Sequence, residues 1–110
     1  MNLIIENPLM DIIRVFADMY PEVKGKIRFV AGLHDAKKAF GETFFPHDGS
    51  VPVISIDVSL SFEGCVEILA HELAHLALGP EKGHGDEWDE VFSKINDAYN
   101  NLMDERLGES

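Results

Sequence analysis

The fold is set by residues 61–80, which read SFEGCVEILAHELAHLALGP. This stretch is an apolar run of helical length, and Ser61 at its start is a suitable N-cap. Glu63 lies near the positive end of the helix dipole, where an acidic side chain is favourable. The closing Gly-Pro pair is a strong terminator. The stretch therefore predicts one helix that ends at about Leu78.

Two histidines on this predicted helix, His71 and His75, frame the run His-Glu-Leu-Ala-His. Residues four apart on a helix differ by about 40° around its axis and by about 6 Å along it, so both rings can reach one ion. Zinc accepts neutral imidazole nitrogen, and catalytic zinc sites commonly combine three protein ligands with a water. Glu72 lies at the edge of the same face, where it can hydrogen-bond that water without ligating the metal. The run predicts a zinc ion on the two histidines, with Glu72 as the general base.

A third zinc ligand must come from outside the helix. His84 is the leading candidate, because Gly83 and Gly85 on either side of it permit a close, flexible return of the chain. Glu81 and Glu87 are rival candidates, since a carboxylate can complete a site that already has two histidines. The spacing favours His84 and leaves the two glutamates open.

Helical patterns also occupy both ends of the chain. Pro8 opens the first, in which apolar residues recur at three- and four-residue steps until Pro21. Asp86 can cap the last helix, and residues 104–110 are expected to fray. The apolar stripe of this last helix comprises Trp88, Val91, Phe92, Ile95, Ala98, Tyr99 and Leu102.

Short segments between the first helix and residue 61 are predicted to be strands, namely 26–30, 39–45 and 51–56. Asp48-Gly49 indicates a hairpin turn, because glycine accepts the positive φ that such turns need. Residues 33–38 fit either a loop or a short helix. The sequence therefore predicts an α+β fold, with an N-terminal helix, a small three-stranded, mainly antiparallel sheet, the motif-bearing helix and a C-terminal helix.

Length and composition indicate a single domain over residues 1–110. No apolar run approaches the roughly 18 residues that span a membrane. The first residues make a poor signal peptide because they lack a basic leader and carry an early acid. We therefore expect a cytoplasmic protein without a membrane partner. The sequence does not indicate the oligomeric state.

The charge balance argues against nucleic acid as a partner. The formal net charge is −11, with only nine Lys and Arg residues, whereas backbone binding needs clustered cations. A local patch around Arg28, Lys37 and Lys38 is conceivable, but a solvated surface is the preferred interpretation. The lone Cys65 excludes an internal disulfide and a Cys-rich zinc knuckle, and its apolar surroundings indicate a small buried hydrophobe.

Other polar residues carry weaker signals. His34 and His47 are expected to be solvent-facing polar residues. His34, Tyr20 and Tyr99 could each donate a hydrogen bond to a transition-state oxyanion, although the spacing of Tyr99 is more typical of the core. The sequence does not select among these three donors.

The two motifs together, His71-Glu72-Leu73-Ala74-His75 and the later Gly-His-Gly-Asp-Glu-Trp run ending at Trp88, resemble the SprT-like family of zincin metallopeptidases. The likeness covers about residues 40–100. It implies a zincin-like fold, with His71, His75 and His84 as ligands and Glu72 as the catalytic base. It also implies a strand near the cleft that pairs with an extended peptide, for which 51–56 is the candidate.

Two departures from the family pattern shape the functional expectation. Many relatives carry a Cys-rich zinc ribbon after the protease core, and members that act on DNA–protein crosslinks have basic regions, neither of which this chain shows. The preferred hypothesis is a zinc metallopeptidase that acts on peptides or unfolded proteins. The alternatives are a catalytically silent, zinc-binding zincin-like module, and a dedicated repressor-cleaving peptidase of the kind found in phages and mobile elements.

Overall fold

Helix α3 (Phe62–Leu78) supplies more buried core residues than any other element of the described chain. The computed structural model describes residues 3–80 and 83–109. In chain order its other elements are α1 (Pro8–Met19), β1 (Lys26–Val30), α2 (Leu33–Lys37), β2 (Gly41–Phe44), β3 (Val53–Asp57) and α4 (Asp86–Glu109). The three long helices pack against one another, and α3 also covers one face of the sheet. The α+β class predicted from the sequence is confirmed, with the short α2 as an additional helix.

Local sequence explains where the first and third helices begin. The Asn7 side chain accepts a hydrogen bond from the Met10 backbone N–H at 2.9 Å, directly before Pro8 at the start of α1. Ser61 plays the same role for α3, where its hydroxyl oxygen accepts from the Gly64 N–H at 3.1 Å. These caps satisfy backbone donors that have no partner inside the helix. The predicted cap and end of α3 are therefore confirmed.

The sheet has the strand order β1-β3-β2. Strand β3 pairs in parallel with β1 and antiparallel with β2, so the expectation of a mainly antiparallel sheet is wrong and the sheet is mixed. Ile54 and Ile56 are fully buried on β3, which explains why this strand takes the centre. The hairpin between β2 and β3 is confirmed, with Gly49 at a φ of 86°.

The central position of β3 also overturns a functional expectation. Residues 51–56 were the candidate for a strand that pairs with a peptide, but both sides of β3 are already paired within the sheet. Its backbone donors and acceptors are therefore used by its neighbours. The strand itself begins at Val53 and ends at Asp57.

Of the ambiguous residues 33–38, residues 33–37 form the short helix α2, and Lys38 caps its end. The carboxylate of Asp57, at the end of β3, accepts from the His34 N–H and from the Ser59 N–H, each at 2.8 Å. These two backbone hydrogen bonds lower the pKa of Asp57, since they stabilise its charged form. Leu33 is buried beside them. The end of the central strand thus fixes the start of α2.

Helix α4 continues to Glu109, so the predicted fraying of residues 104–110 is wrong within the part of the chain described. Arg106 explains the difference, because its Nη1 donates to Asp11 Oδ2 on α1 at 2.7 Å. Asp11 is 2% exposed, and the ion pair ties the last turns of α4 to α1. Asp86 is the first residue within α4 rather than its cap.

Two further expectations concern burial and the membrane. Cys65 is a free, buried thiol in the core, as its apolar surroundings predicted. No helix among the described residues combines the length and the apolar character that crossing a bilayer requires.

Candidate metal centre

Three imidazole rings converge where the C-terminal half of α3 meets the segment before α4. The Nε2 atom of His84 lies 2.8 Å from Nε2 of His75 and 3.1 Å from Nε2 of His71. The two helical histidines face the same side because they are one turn apart. The cluster of His71, His75 and His84 could hold a metal ion, because one ring nitrogen of each residue lies within 4.8 Å of those of the other two.

The donor set fits a metal better than it fits hydrogen bonding alone. A neutral imidazole has one donor and one acceptor nitrogen, so three Nε2 atoms that face each other cannot all be satisfied mutually. A cation at their centre would satisfy all three lone pairs. Two nitrogen ligands of tetrahedral zinc lie about 3.3 Å apart when the bonds are about 2.0–2.1 Å long. The observed separations of 2.8 and 3.1 Å are close to that spacing.

The protonation of the helical histidines also suits a metal. Burial lowers the pKa of His71 below its ordinary value of 6.5, although the charge of Glu72 acts to raise it. Burial likewise lowers the pKa of His75, with further lowering by His71 and His84. Metal binding requires neutral imidazole. Both rings are thus biased towards the ligating form at neutral pH.

Glu72 lies directly beside the cluster and is itself 7% exposed. The Thr43 hydroxyl on β2 donates to Glu72 Oε1 at 2.8 Å, and Thr43 Oγ1 is also 3.3 Å from the Glu72 main-chain oxygen. A hydroxyl has a single hydrogen, so the shorter contact is the better bond. The edge strand therefore holds the carboxylate of Glu72 in one orientation.

Gly41 lets β2 approach α3 closely enough for this hydrogen bond. A Cβ at position 41 would overlap Cγ2 of Ile68 and would lie 3.3 Å from Cγ of Glu72. A glycine within a strand often marks such a close approach. The packing of Gly41 against α3 thus brings Thr43 to the motif.

A cleft of about 280 Å³ opens beside the carboxylate and the histidine cluster. Its lining comes from β2, the segment after it, and the end of α3, namely Thr43, Phe45, Glu72, His75, Gly79 and Pro80. The cleft therefore lies between strand β2 and the end of α3, next to Glu72.

Trp88, in the first turn of α4, packs against all three imidazoles. Its ring centroid lies 4.8 Å from that of His71, 5.7 Å from that of His75 and 4.7 Å from that of His84. Trp88 is 8% exposed, and its Nε1 atom is buried with no hydrogen-bond partner among residues 3–80 and 83–109.

The rival ligands fall outside the cluster or outside the described residues. Glu87 is exposed and, among the described residues, does not belong to the group whose ligand atoms converge. Glu81 lies outside those residues. His84 therefore joins the helical histidines, and the assignment of all three as ligands belongs to the proposal below.

The candidate oxyanion donors lie apart from the cleft beside Glu72. Tyr20 packs against Phe16 in the core, with centroids 5.1 Å apart, and Tyr99 lines a different cleft between α1, α3 and α4. His34 is half-buried and stacks on Phe40 at 4.1 Å, so it is less solvent-facing than predicted. His47 is exposed, as expected.

Sequence reasoning missed Gly41, Thr43 and Phe45 as parts of the site. The alternation of these three residues could have indicated that they share one face of the strand, because residues two apart on a strand face the same side. Gly41 and Thr43 lie opposite Ile56 and Ile54, which face the helices. Alternation alone could not indicate which helix β2 packs against.

Fold and site together define an α+β protein with a three-histidine cluster that could hold a metal ion. The sequence model of the SprT-like family matches residues 50–107, more than half of the 110 residues. The chain belongs to the SprT-like family. The match covers both the helical motif and the segment with His84 and Trp88. No curated protein and no solved structure shows a significant match to the chain.

Proposed function

We propose that this protein is a zinc-dependent metallopeptidase with a zincin-like fold, in which Glu72 is the general base for peptide-bond hydrolysis. The observation that carries the proposal is the placement of a buried carboxylate beside three converging imidazole nitrogens. A base must lie within hydrogen-bonding reach of the proton that it removes. Membership of the SprT-like family supports the same chemistry.

His71, His75 and His84 would hold the metal. Three neutral nitrogen donors are typical of a catalytic zinc site, which keeps a position for water or substrate. When bound there, zinc would lower the pKa of a water to about 7 and polarise the substrate carbonyl.

Glu72 performs the proton transfers in this proposal. Thr43 donates to Oε1, which leaves Oε2 to accept a proton from the attacking water. The same carboxyl then gives that proton to the leaving amine nitrogen, so the breaking peptide bond does not expel an unprotonated amine anion. A carboxylate fixed by its neighbour spends less entropy in reaching this geometry.

The substrate we propose is an extended peptide or an unfolded protein that pairs with the free side of β2. One side of β2 pairs with β3, and within the described residues no strand pairs with its other side. Extended peptides commonly bind by adding a strand to such an edge. Thr43 lies on this strand and Phe45 follows it, so the bound chain would pass the cleft beside Glu72.

Nucleic acid is not part of the proposal. Within the basic patch considered above, Lys37 is paired with Glu42 at 3.1 Å. The net charge of −11 repels a polyanion.

The test measures zinc content and cleavage of casein, an unstructured protein, by the wild type and by Glu72→Gln. We expect stoichiometric zinc in both, cleavage by the wild type, and loss of cleavage by about 10²- to 10⁴-fold in the variant. Equal cleavage by Glu72→Gln would contradict the proposal. Bound zinc without turnover on any unfolded protein would favour the silent module, and turnover of a single repressor alone would favour the dedicated peptidase.

A further inference from the structure

We propose that Trp88 is a positioning residue for the metal, holding the loop-borne ligand His84 against the two helical ligands. The inference rests on the proposed function, because it takes the three histidines as zinc ligands. The indole contacts all three imidazoles, at centroid distances between 4.7 and 5.7 Å.

The histidines differ in how the backbone places them. His71 and His75 are fixed by α3, whose hydrogen bonds hold both residues on one face. His84 precedes α4 and lies between Gly83 and Gly85, where an added Cβ would meet open space. Steric contact therefore does not require those glycines, and they leave the backbone of His84 many conformations. Its ring must be placed mainly by what its side chain contacts.

Trp88 is suited to that task because it is itself fixed. It follows His84 by four residues and lies in the first turn of α4, so its ring reaches the same side of the helix start. The indole stacks on Phe92 at 4.8 Å with an interplanar angle of 12°, and it belongs to the hydrophobic core. A buried plane anchored in the core thus supports a ring that no helix or strand holds in place.

The indole also favours the metal-loaded state electronically. A cation bound there would withdraw electron density from its imidazole ligands. The imidazole rings would then carry partial positive charge. Tryptophan has the most favourable aromatic face for a neighbouring positive charge. The contact with Trp88 should therefore be stronger when the three histidines carry zinc than when they do not.

The test compares zinc affinity, by competition with a chromophoric chelator, for the wild type, Trp88→Leu and Trp88→Phe. We expect Trp88→Leu to weaken zinc binding by about 10- to 100-fold, the usual effect of losing a residue that orients metal ligands. Trp88→Phe should recover most of the affinity. It keeps an aromatic face and removes an indole N–H that has no hydrogen-bond partner in the described residues.

Ile95→Ala is the matched control, because Ile95 is fully buried on the same helix and makes none of the ring contacts with the histidines. It should destabilise the fold yet change zinc affinity by less than about threefold, since distant sites act almost independently. Circular dichroism of each metal-free variant verifies folding under the conditions of the titration.

A spectroscopic measurement separates positioning from stability. The visible absorption of the Co²⁺-substituted protein reports ligand geometry, and it should change in Trp88→Leu but remain as in the wild type in Ile95→Ala. Wild-type zinc affinity together with an unchanged cobalt spectrum in Trp88→Leu would overturn the inference and leave the proposed function standing. Absence of zinc binding by the wild type would overturn both.

Discussion

The two ends of α4 are each anchored by a buried group, but by different kinds of interaction. At the N-terminal end, Trp88 packs on three imidazoles that lie beside a cleft. Near the C-terminal end, Arg106 pairs with the buried Asp11 of α1. The first end is polarisable, partly exposed and suited to a metal. The second is an ion pair whose carboxylate is buried.

The N-terminal end of α4 therefore contributes mainly to the candidate site, and the C-terminal end contributes mainly to the stability of the fold. Removing a partner from a buried ion pair leaves a charge without compensation, so the folded state loses free energy. Changes among the clustered imidazoles cost less in folding but alter what the cluster can bind. We therefore expect variants at the N-terminal end to change metal binding and chemistry, and variants at the C-terminal end to change unfolding.

The largest effect is expected for His84→Ala. Loss of a residue that only orients a ligand lowers metal affinity by up to about 100-fold. Loss of a direct ligand should therefore lower zinc affinity by more than that. Elemental analysis and chelator competition measure the change. Glu87→Ala is the matched control on the adjacent segment and should retain stoichiometric zinc. Tight, stoichiometric zinc in His84→Ala would refute the assignment of His84.

At the opposite end, Arg106→Ala should lower the free energy of unfolding by about 2–3 kcal/mol. The loss is below that of a fully buried pair because the Arg106 side chain is 25% exposed, whereas Asp11 is 2% exposed. Urea denaturation measures it, and zinc affinity should not change. Glu6→Gln is the control, since Glu6 is an exposed partner of the same arginine at 3.5 Å and should cost at most about 1 kcal/mol.

The double variant Asp11→Leu/Arg106→Leu sharpens that prediction. It removes both charges together, so it should be more stable than Arg106→Ala. If the single and double variants were equally unstable, lost side-chain packing rather than an uncompensated carboxylate would be the cause.

A smaller effect is expected for Thr43→Val, which removes the hydroxyl that donates to Glu72 Oε1 and keeps the side-chain shape. The kcat for peptide cleavage should fall about tenfold, the equivalent of one net hydrogen bond of ~1.4 kcal/mol. Zinc affinity should be unchanged. Thr43→Ser keeps the donor and should retain most of the activity, so an undiminished kcat in Thr43→Val would show that orientation of Glu72 is unimportant.

The smallest effect is a pH dependence of the metal-free protein. The pKa values of His71 and His75 are lowered in the folded state, mainly by burial. Above the ordinary value of 6.5, both the folded and the unfolded chain hold these rings neutral. As the pH falls through 6.5, the unfolded chain takes up protons first, so stability decreases until the pH is below the folded-state pKa values.

Urea midpoints of the metal-free protein between about pH 8 and about pH 5 measure this dependence. A variant with both helical histidines changed to glutamine should show a flatter profile, because it lacks the two groups whose pKa values differ between states. An equally steep profile in that variant would assign the dependence to other groups.

Much of the fold followed from local sequence. The caps at Asn7 and Ser61 and the break at Gly79-Pro80 set helix ends through hydrogen bonds and dihedral limits that involve only neighbouring residues. The predicted strand at residues 26–30 coincides with β1. The prediction that failed was the mainly antiparallel pairing of the strands. A strand can pair in parallel or antiparallel without any change in the alternation of its own side chains.

The candidate site likewise has features that local sequence determines and features that only tertiary packing determines. The sequence by itself determined that His71 and His75 share a helical face with Glu72 beside them, because the helical repeat fixes the relative directions of residues one turn apart. Tertiary packing alone placed Thr43 against Glu72 and the indole of Trp88 against all three imidazoles. Contacts between distant segments depend on how elements pack over the whole chain, which no local repeat specifies.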